Sequence, residues 1–177
     1  MQSLFTCPVC RKALTRYDTL YRCAQGHSFD IAAAGYTHLL PVNRMHSRTP
    51  GDDRGMAAAR NRFLSAGYYD VLARCLADLC VKLASPHPVL IDSGCGEGYY
   101  TSKIAEALRR SGSELRIAGI DISKNCVRLA AKRDRSIEFA VASAYDLPFA
   151  DQRDDLLLNC FSPLAQSEFQ RVLKPDG

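Results

Sequence analysis

Val89-Leu90-Ile91-Asp92-Ser93-Gly94-Cys95-Gly96-Glu97-Gly98 places an apolar run, an acid and three alternating glycines in succession. Residues 89–91 suit a strand buried on both faces, and the glycines let the backbone after it turn tightly and approach a ligand. Residues 115–120 read as a second strand, and Asp121 follows it, twenty-nine positions after Asp92, about the length of one βαβ unit. Between the two strands Ile104, Ala105 and Leu108 recur at helical spacing, and Gly112 stops the run. Strand, glycine loop, helix, strand and acid together predict an α/β fold with a parallel, Rossmann-like sheet.

The glycine spacing is Gly-x-Gly-x-Gly, not the Gly-x-Gly-x-x-Gly that leads a pyrophosphate onto a helix N-terminus. That difference favours S-adenosylmethionine (SAM) over a dinucleotide. An acid at Asp121 can accept both ribose hydroxyls, although Asp-Ile-Ser-Lys also looks like a helix start that Asp121 would cap. A third strand over 137–141 leads into Ala142-Ser143-Ala144-Tyr145-Asp146-Leu147-Pro148-Phe149, and a fourth over 155–161 carries Asn159-Cys160-Phe161-Ser162-Pro163. This half of the chain resembles the class I SAM methyltransferases. The resemblance implies that the loop after the third strand lies along the adenine, with Ala144 and with Asp146 or a nearby amide facing it. Leu147, Pro148 and Phe149 are expected to pack the loop on the sheet.

A second motif lies at the other end: Cys7-Pro8-Val9-Cys10, twelve residues, Cys23, three residues, His27. Two turns that present three thiolates and an imidazole suit a tetrahedral zinc ion. About twenty-five residues cannot bury enough apolar surface to fold alone, so the ion is expected to be structural, in place of a core. A redox pair would sit at a helix start beside a strand, and this one does not. His38 and His46 are conceivable substitutes, with His27 preferred on spacing. Cys75, Cys80, Cys126 and Cys160 read as small buried hydrophobes, and Cys95 as either a cofactor contact or a small residue in a crowded turn.

At 177 residues the chain can hold one sizeable core and a small appendage. No apolar run approaches the roughly twenty residues that cross a bilayer, and no signal-peptide pattern opens the chain, so a soluble, cytoplasmic protein without membrane partners is expected. Residues 1–62 contain nine Lys or Arg against four acids, whereas residues 63–177 contain fourteen against fifteen. Arg11, Lys12, Arg16 and Arg22 surround the zinc motif, and Arg44, His46, Arg48, Arg54, Arg60 and Arg62 follow it. Clustered cations gain affinity for nucleic acid by releasing its counterions, and Tyr17, Tyr21 and Tyr36 are candidates for base stacking. A solvated basic face is the plainer alternative. The organisation predicted is a zinc-binding, RNA-recognising module over 1–40, a linker and helices over 41–84, and the cofactor domain over 85–177. Within the middle segment, 60–66 reads as a helix stopped by Gly67, and a second runs from about 69 to 83 before Pro86.

In order, Cys-Pro-x-Cys, Cys-x-x-x-His-x-Phe-Asp (Cys23 to Asp30), Gly-Tyr-x-x-Leu-Leu-Pro-Val (from Gly35), Pro50-Gly51-Asp52, Ala66-Gly67-x-Tyr69 and Asp92-x-Gly-Cys-Gly-Glu-Gly-Tyr-Tyr100 resemble the large-subunit (23S) ribosomal RNA guanine-N1 methyltransferases over nearly the whole chain. Ser93 is a departure, since the family pattern has an apolar residue there. The resemblance implies a zinc module that helps grip a 23S rRNA hairpin, SAM as methyl donor, and cofactor contacts from Tyr69, Gly96 and Glu97 beside Asp92, Gly94, Gly98 and Asp121. Methyl transfer to guanine N1 needs the N1 proton removed, and no residue is assignable as the base. Asn159 could hold a substrate edge and Phe161 could stack on a flipped base, against the plainer roles of strand-end hydrogen bonding and core packing.

Leu173-Lys174-Pro175-Asp176-Gly177 resembles the turn that introduces a fifth strand. The expectation is an N-terminal fragment, poorly active alone, whose apolar edge over 156–158 is an association liability through which a homodimer could form. Two other classes compete. A methyltransferase of a small molecule or protein would keep the cofactor half but show no steeply salt-dependent RNA affinity. A zinc-dependent RNA-binding protein with a relic fold would show no saturable heat with SAM.

Overall fold

The computed structural model describes residues 2–41, 43 and 50–177. A four-stranded antiparallel meander opens the chain, with β1 (Gln2–Thr6), β2 (Ala13–Arg16), β3 (Leu20–Cys23) and β4 (Ser28–Asp30) paired in sequence order. Then come β5 (Tyr36–His38), α1 (Arg54–Ser65), α2 (Asp70–Leu83), β6 (Val89–Ser93), α3 (Tyr99–Arg110), β7 (Arg116–Asp121), α4 (Lys124–Arg133), β8 (Glu138–Val141), β9 (Leu156–Leu158) and α5 (Gln166–Val172). The second sheet is parallel, in the order β5-β8-β7-β6-β9. After β8 the chain returns past β6 to place β9 on its other side, and that reversal makes a crevice at the strands' C-terminal ends. No helix among the described residues is long and apolar enough to cross a membrane.

Alternation along the parallel strands divides the core in two. Leu90, Ile117, Phe139, Val141 and Leu158 face α2, α3 and α4, through Ala73, Ile104, Leu108, Val127 and Ala130. Their neighbours Ile91, Ala118, Ile120, Ala140 and Ala142 face the meander and α5, through Phe5, Leu14, Tyr21, Phe169 and Val172. A parallel sheet needs both faces covered, and here the ribbon covers much of the second one. Phe5 and Phe149, fully buried with ring centroids 5.5 Å apart, sit in that joint. Each ring contributes about 2–3 kcal/mol by leaving water. The ribbon's continuation, β5, pairs in parallel with β8 and so belongs to the larger sheet.

Three local departures from the sequence reading have clear causes. Helix α1 starts six residues before the expected position because the Asp53 side chain accepts a hydrogen bond from the Met56 amide and caps it. The fourth parallel strand is three residues long rather than seven, since Asn159 Nδ2 donates to the Ser93 carbonyl and Phe161 turns into the left-handed region at φ 55°. Cys75 is exposed, not buried, on the outer side of α2, whereas Cys126 is buried as expected.

Candidate functional site

The loops after β6, β7, β8 and β9 close on a cavity of about 460 Å³, within the usual range for a small-molecule site. At Gly94 a Cβ would come within 2.2 Å of Ser162, so only glycine lets the loops after β6 and β9 meet. Gly96 is buried and left-handed, yet a Cβ there would meet nothing within 4 Å. The empty space beside it is the cavity. Gly94, Gly96, Glu97, Asp121, Ala144 and Tyr69 all line the wall.

Asp121 accepts from the Gly96 amide at 3.0 Å through Oδ2 and from the Ser123 amide at 2.7 Å through Oδ1. It does not cap α4; the Ser123 hydroxyl does, by accepting from the Cys126 amide. Asp92 stands behind the wall, buried, accepting from Thr101 Oγ1 at 2.5 Å, with Oδ1 lacking a partner among the described residues. Burial pushes its carboxyl up to about 7, Thr101 draws it down in part, and the charges of Asp121 and Glu97 add to the rise. Glu97 and Asp121 are raised as well, first by burial. Glu97 Oε1 has no hydrogen-bond partner among the described residues. Three crowded carboxyls favour a cationic ligand and oppose a pyrophosphate. SAM, with its sulfonium and ammonium, fits that charge, and the open Gly96 position gives it room.

Three expected cofactor residues fall outside the lining: Asp92, which stands behind it, Gly98 and Asp146. Gly98 precedes α3 as its left-handed cap. Asp146 turns from the cavity because Arg11 of the ribbon takes its carboxylate, leaving Ser143, Ala144 and Tyr145 on the wall. Cys95 lies in the lining but is buried, and burial raises its thiol well above the ordinary value, which makes it a poor nucleophile. Cys160, expected in the core, is half-buried and also on the wall. Asn159 does what a strand end requires, its amide donating to the Ser93 carbonyl, Ser162 Oγ and the Pro163 carbonyl. Phe161 is no core residue: it is 78% exposed, at the cavity mouth, with its ring 6.0 Å from that of Tyr69.

Other wall residues were not legible as such. Arg60, counted among the polyanion-binding cations, pairs with Asp52 at 3.0 Å on the cavity wall. Gly51 and Asp52 seat against the loop after β7, where the Asp52 carbonyl accepts from Ser123 Oγ at 2.6 Å. The Pro-Gly-Asp motif was the available signal, without an indication of where it docks. Of the three tyrosines expected to stack on bases, Tyr21 and Tyr36 are buried and only Tyr17 is exposed. Arg44, His46 and Arg48 lie outside the described residues.

In the ribbon, Cys7, Cys10, Cys23 and His27 bring their ligand atoms within 4.8 Å of one another. Cys10 and Cys23 Sγ are 3.7 Å apart, and His27 Nδ1 is 3.6 Å from Cys7 Sγ and 3.4 Å from Cys23 Sγ. Tetrahedral bonds of about 2.3 Å to sulfur and 2.0 Å to nitrogen give edges of about 3.8 and 3.5 Å. The four residues therefore fit zinc, in a closed site that leaves no position for a reacting water. His38 is exposed on β5, outside the cluster.

Residues 5–48 match a family model described as RlmA, N-terminal, a zinc ribbon, and residues 90–177 match one described as a methyltransferase domain. A Streptomyces fradiae protein named 23S rRNA (guanine(748)-N(1))-methyltransferase is 33% identical over 97% of this chain and 60% of its own length. A Micromonospora griseorubida protein carrying the name 23S rRNA (guanine-N(1)-)-methyltransferase is 35% identical over 97% of this chain and 62% of its own. The crystal structure of a SAM-dependent methyltransferase of Methanococcus maripaludis superposes with a TM-score of 0.60 at 20% identity, covering 73% of this chain and 63% of that one, and shows the common fold. The chain spans about three fifths of the length of these curated relatives. With a zinc ribbon joined to a class I methyltransferase fold, the chain is similar along nearly all its length to proteins named as 23S rRNA (guanine-N1) methyltransferases.

Proposed function

We propose that the protein transfers the methyl group of SAM to N1 of a guanine in a hairpin loop of 23S rRNA. The observation that carries this reading is the joining, in one chain, of a Cys3His ribbon to a cavity ringed by carboxyls and glycines, in the order found in relatives named for that reaction. Bound SAM supplies a methyl group already activated for displacement. The chain's own residues supply alignment: the Gly94 to Gly96 backbone and Asp121 hold the donor, and the exposed Phe161 ring meets the target base at the cavity mouth. Held there, SAM would supply the methyl group with the bonding pair left on its sulfur, and the proton displaced from N1 would pass to solvent. Lys12 and Arg22, exposed on the ribbon, suit a phosphate backbone, and Tyr17, exposed at the turn after β2, suits an unpaired base.

The test is transfer of tritiated methyl from SAM to 23S rRNA, with the site mapped by reverse-transcription arrest. A stop at one loop guanine, with binding that weakens steeply as salt rises, supports the reading. Label entering a quinone or a protein but not RNA, or a methyl group on another guanine atom, would overturn it.

A further inference from the structure

The cavity wall formed by Ser143, Ala144 and Tyr145 is not held by the parallel sheet alone. Just after it, the chain is gripped by the ribbon. The Thr6 amide donates to the Pro148 carbonyl at 2.7 Å, Phe5 bridges Phe149, and Arg11 donates to the Asp146 carboxylate and to the Leu147 carbonyl. From the opposite side, Arg171 donates to the Leu147 and Phe149 carbonyls while the Leu147 amide donates to Glu168. Arg11 is the residue just past the Cys7–Cys10 turn, its amide donating to the Cys7 carbonyl, and its backbone is left-handed at φ 59°. That conformation costs any residue but glycine and persists where the surroundings impose it. Here the surroundings are the turn that presents two zinc ligands. A glycine would fit the backbone better, so the arginine side chain sits there at a backbone cost.

We propose that Arg11 is a positioning residue for the cofactor: presented by the zinc turn, it holds the loop through Asp146 and Leu147 so that residues 143–145 keep the shape of the cavity wall. The ribbon then supports methyl-donor binding as well as any contact with RNA. The inference rests on the assignment of the cavity to SAM. It is also specific, because Asp146 in this arrangement serves the donor indirectly and not by facing it.

The experiment uses the full chain loaded with zinc, titrated calorimetrically with SAM, as the unsubstituted protein, Arg11→Gly, Arg11→Lys, Asp146→Asn and the Arg11→Gly/Asp146→Asn double variant. Metal content is measured on each by chelator colorimetry. Glycine relieves the backbone while removing the side chain, so Arg11→Gly should keep its zinc and its melting temperature. Its dissociation constant for SAM should rise about three- to ten-fold, the scale of a charge-assisted contact partly open to water. Asp146→Asn should do the same, the double variant should be no worse than either alone, and Arg11→Lys should restore part of the affinity. Unchanged affinity in Arg11→Gly, or losses that add in the double variant, would overturn the proposal. If the unsubstituted protein gives no saturable heat, the cofactor assignment fails instead. Hydrogen exchange at the amides of Tyr145, Asp146 and Leu147 then judges the clamp alone: faster exchange in Arg11→Gly supports it, and unchanged protection refutes it.

Discussion

Gly96→Ala separates two costs that a glycine-loop substitution usually confuses. Gly96 and Gly112 are both left-handed, at φ 55° and 87°, and at neither would a Cβ meet an atom within 4 Å. An alanine at either therefore pays the same backbone penalty, about 1–2 kcal/mol, and in a chain of this size should lower the melting temperature by roughly 2–8 °C. The surroundings differ. Gly112 follows α3 on the open surface, whereas Gly96 is buried and its vacant direction is the cavity beside Asp121. A methyl group placed in space the ligand must fill costs about 1–3 kcal/mol by overpacking, which is roughly a 5- to 150-fold rise in dissociation constant. Titration calorimetry with SAM and thermal melts on both variants complete the comparison. Matched melting temperatures with affinity lost only in Gly96→Ala are expected. Affinity retained in Gly96→Ala would mean that the cavity beside the loop is not where the donor sits.

Cys10→Ser should release zinc, abolish the near-UV circular dichroism of the Phe5–Tyr21 region and lower the melting temperature by more than about 10 °C, because the ion's binding energy is folding energy for so small a sheet; a zinc-free variant that melts like the parent would show the site to be dispensable. Asp154 is buried with Oδ2 unpartnered among the described residues, and burial first, then the Asp155 charge, raises it from 3.8 to about 7. A raised carboxyl stabilises fully below its unfolded value and loses that contribution as pH climbs through about 7. The melting temperature should fall between pH 5 and pH 8, and Asp154→Asn should flatten the slope relative to the parent, which keeps Asp92 in the same window; an identical slope in both proteins would count against the assignment. Phe161→Gly relieves a left-handed backbone and removes an exposed ring, so stability should hold or rise while methyl transfer to RNA falls roughly 5- to 150-fold, the worth of one stacked base. Equal turnover would remove Phe161 from the substrate site.

Much of this architecture is written in local patterns. The apolar run before Asp92, the glycines at alternate positions and the acid after the second strand are short-range features, because a tight turn at a strand end constrains residues one to four apart. The zinc ligands are legible for the same reason: two turns each supply a pair at a spacing the metal dictates. Helix ends were less so where one side chain decided them, as Asp53 does for α1.

By itself the sequence determined the parallel βαβ order, the cofactor loop, and a metal-held ribbon at the N-terminal end. Only the tertiary structure decided that the ribbon covers the second face of the sheet, that β5 crosses into that sheet beside β8, and that Arg11 claims Asp146 from the cavity. Arg11 and Asp146 are 135 residues apart. Contacts of that separation depend on which faces are left uncovered once the helices have packed, and neither spacing nor periodicity records that.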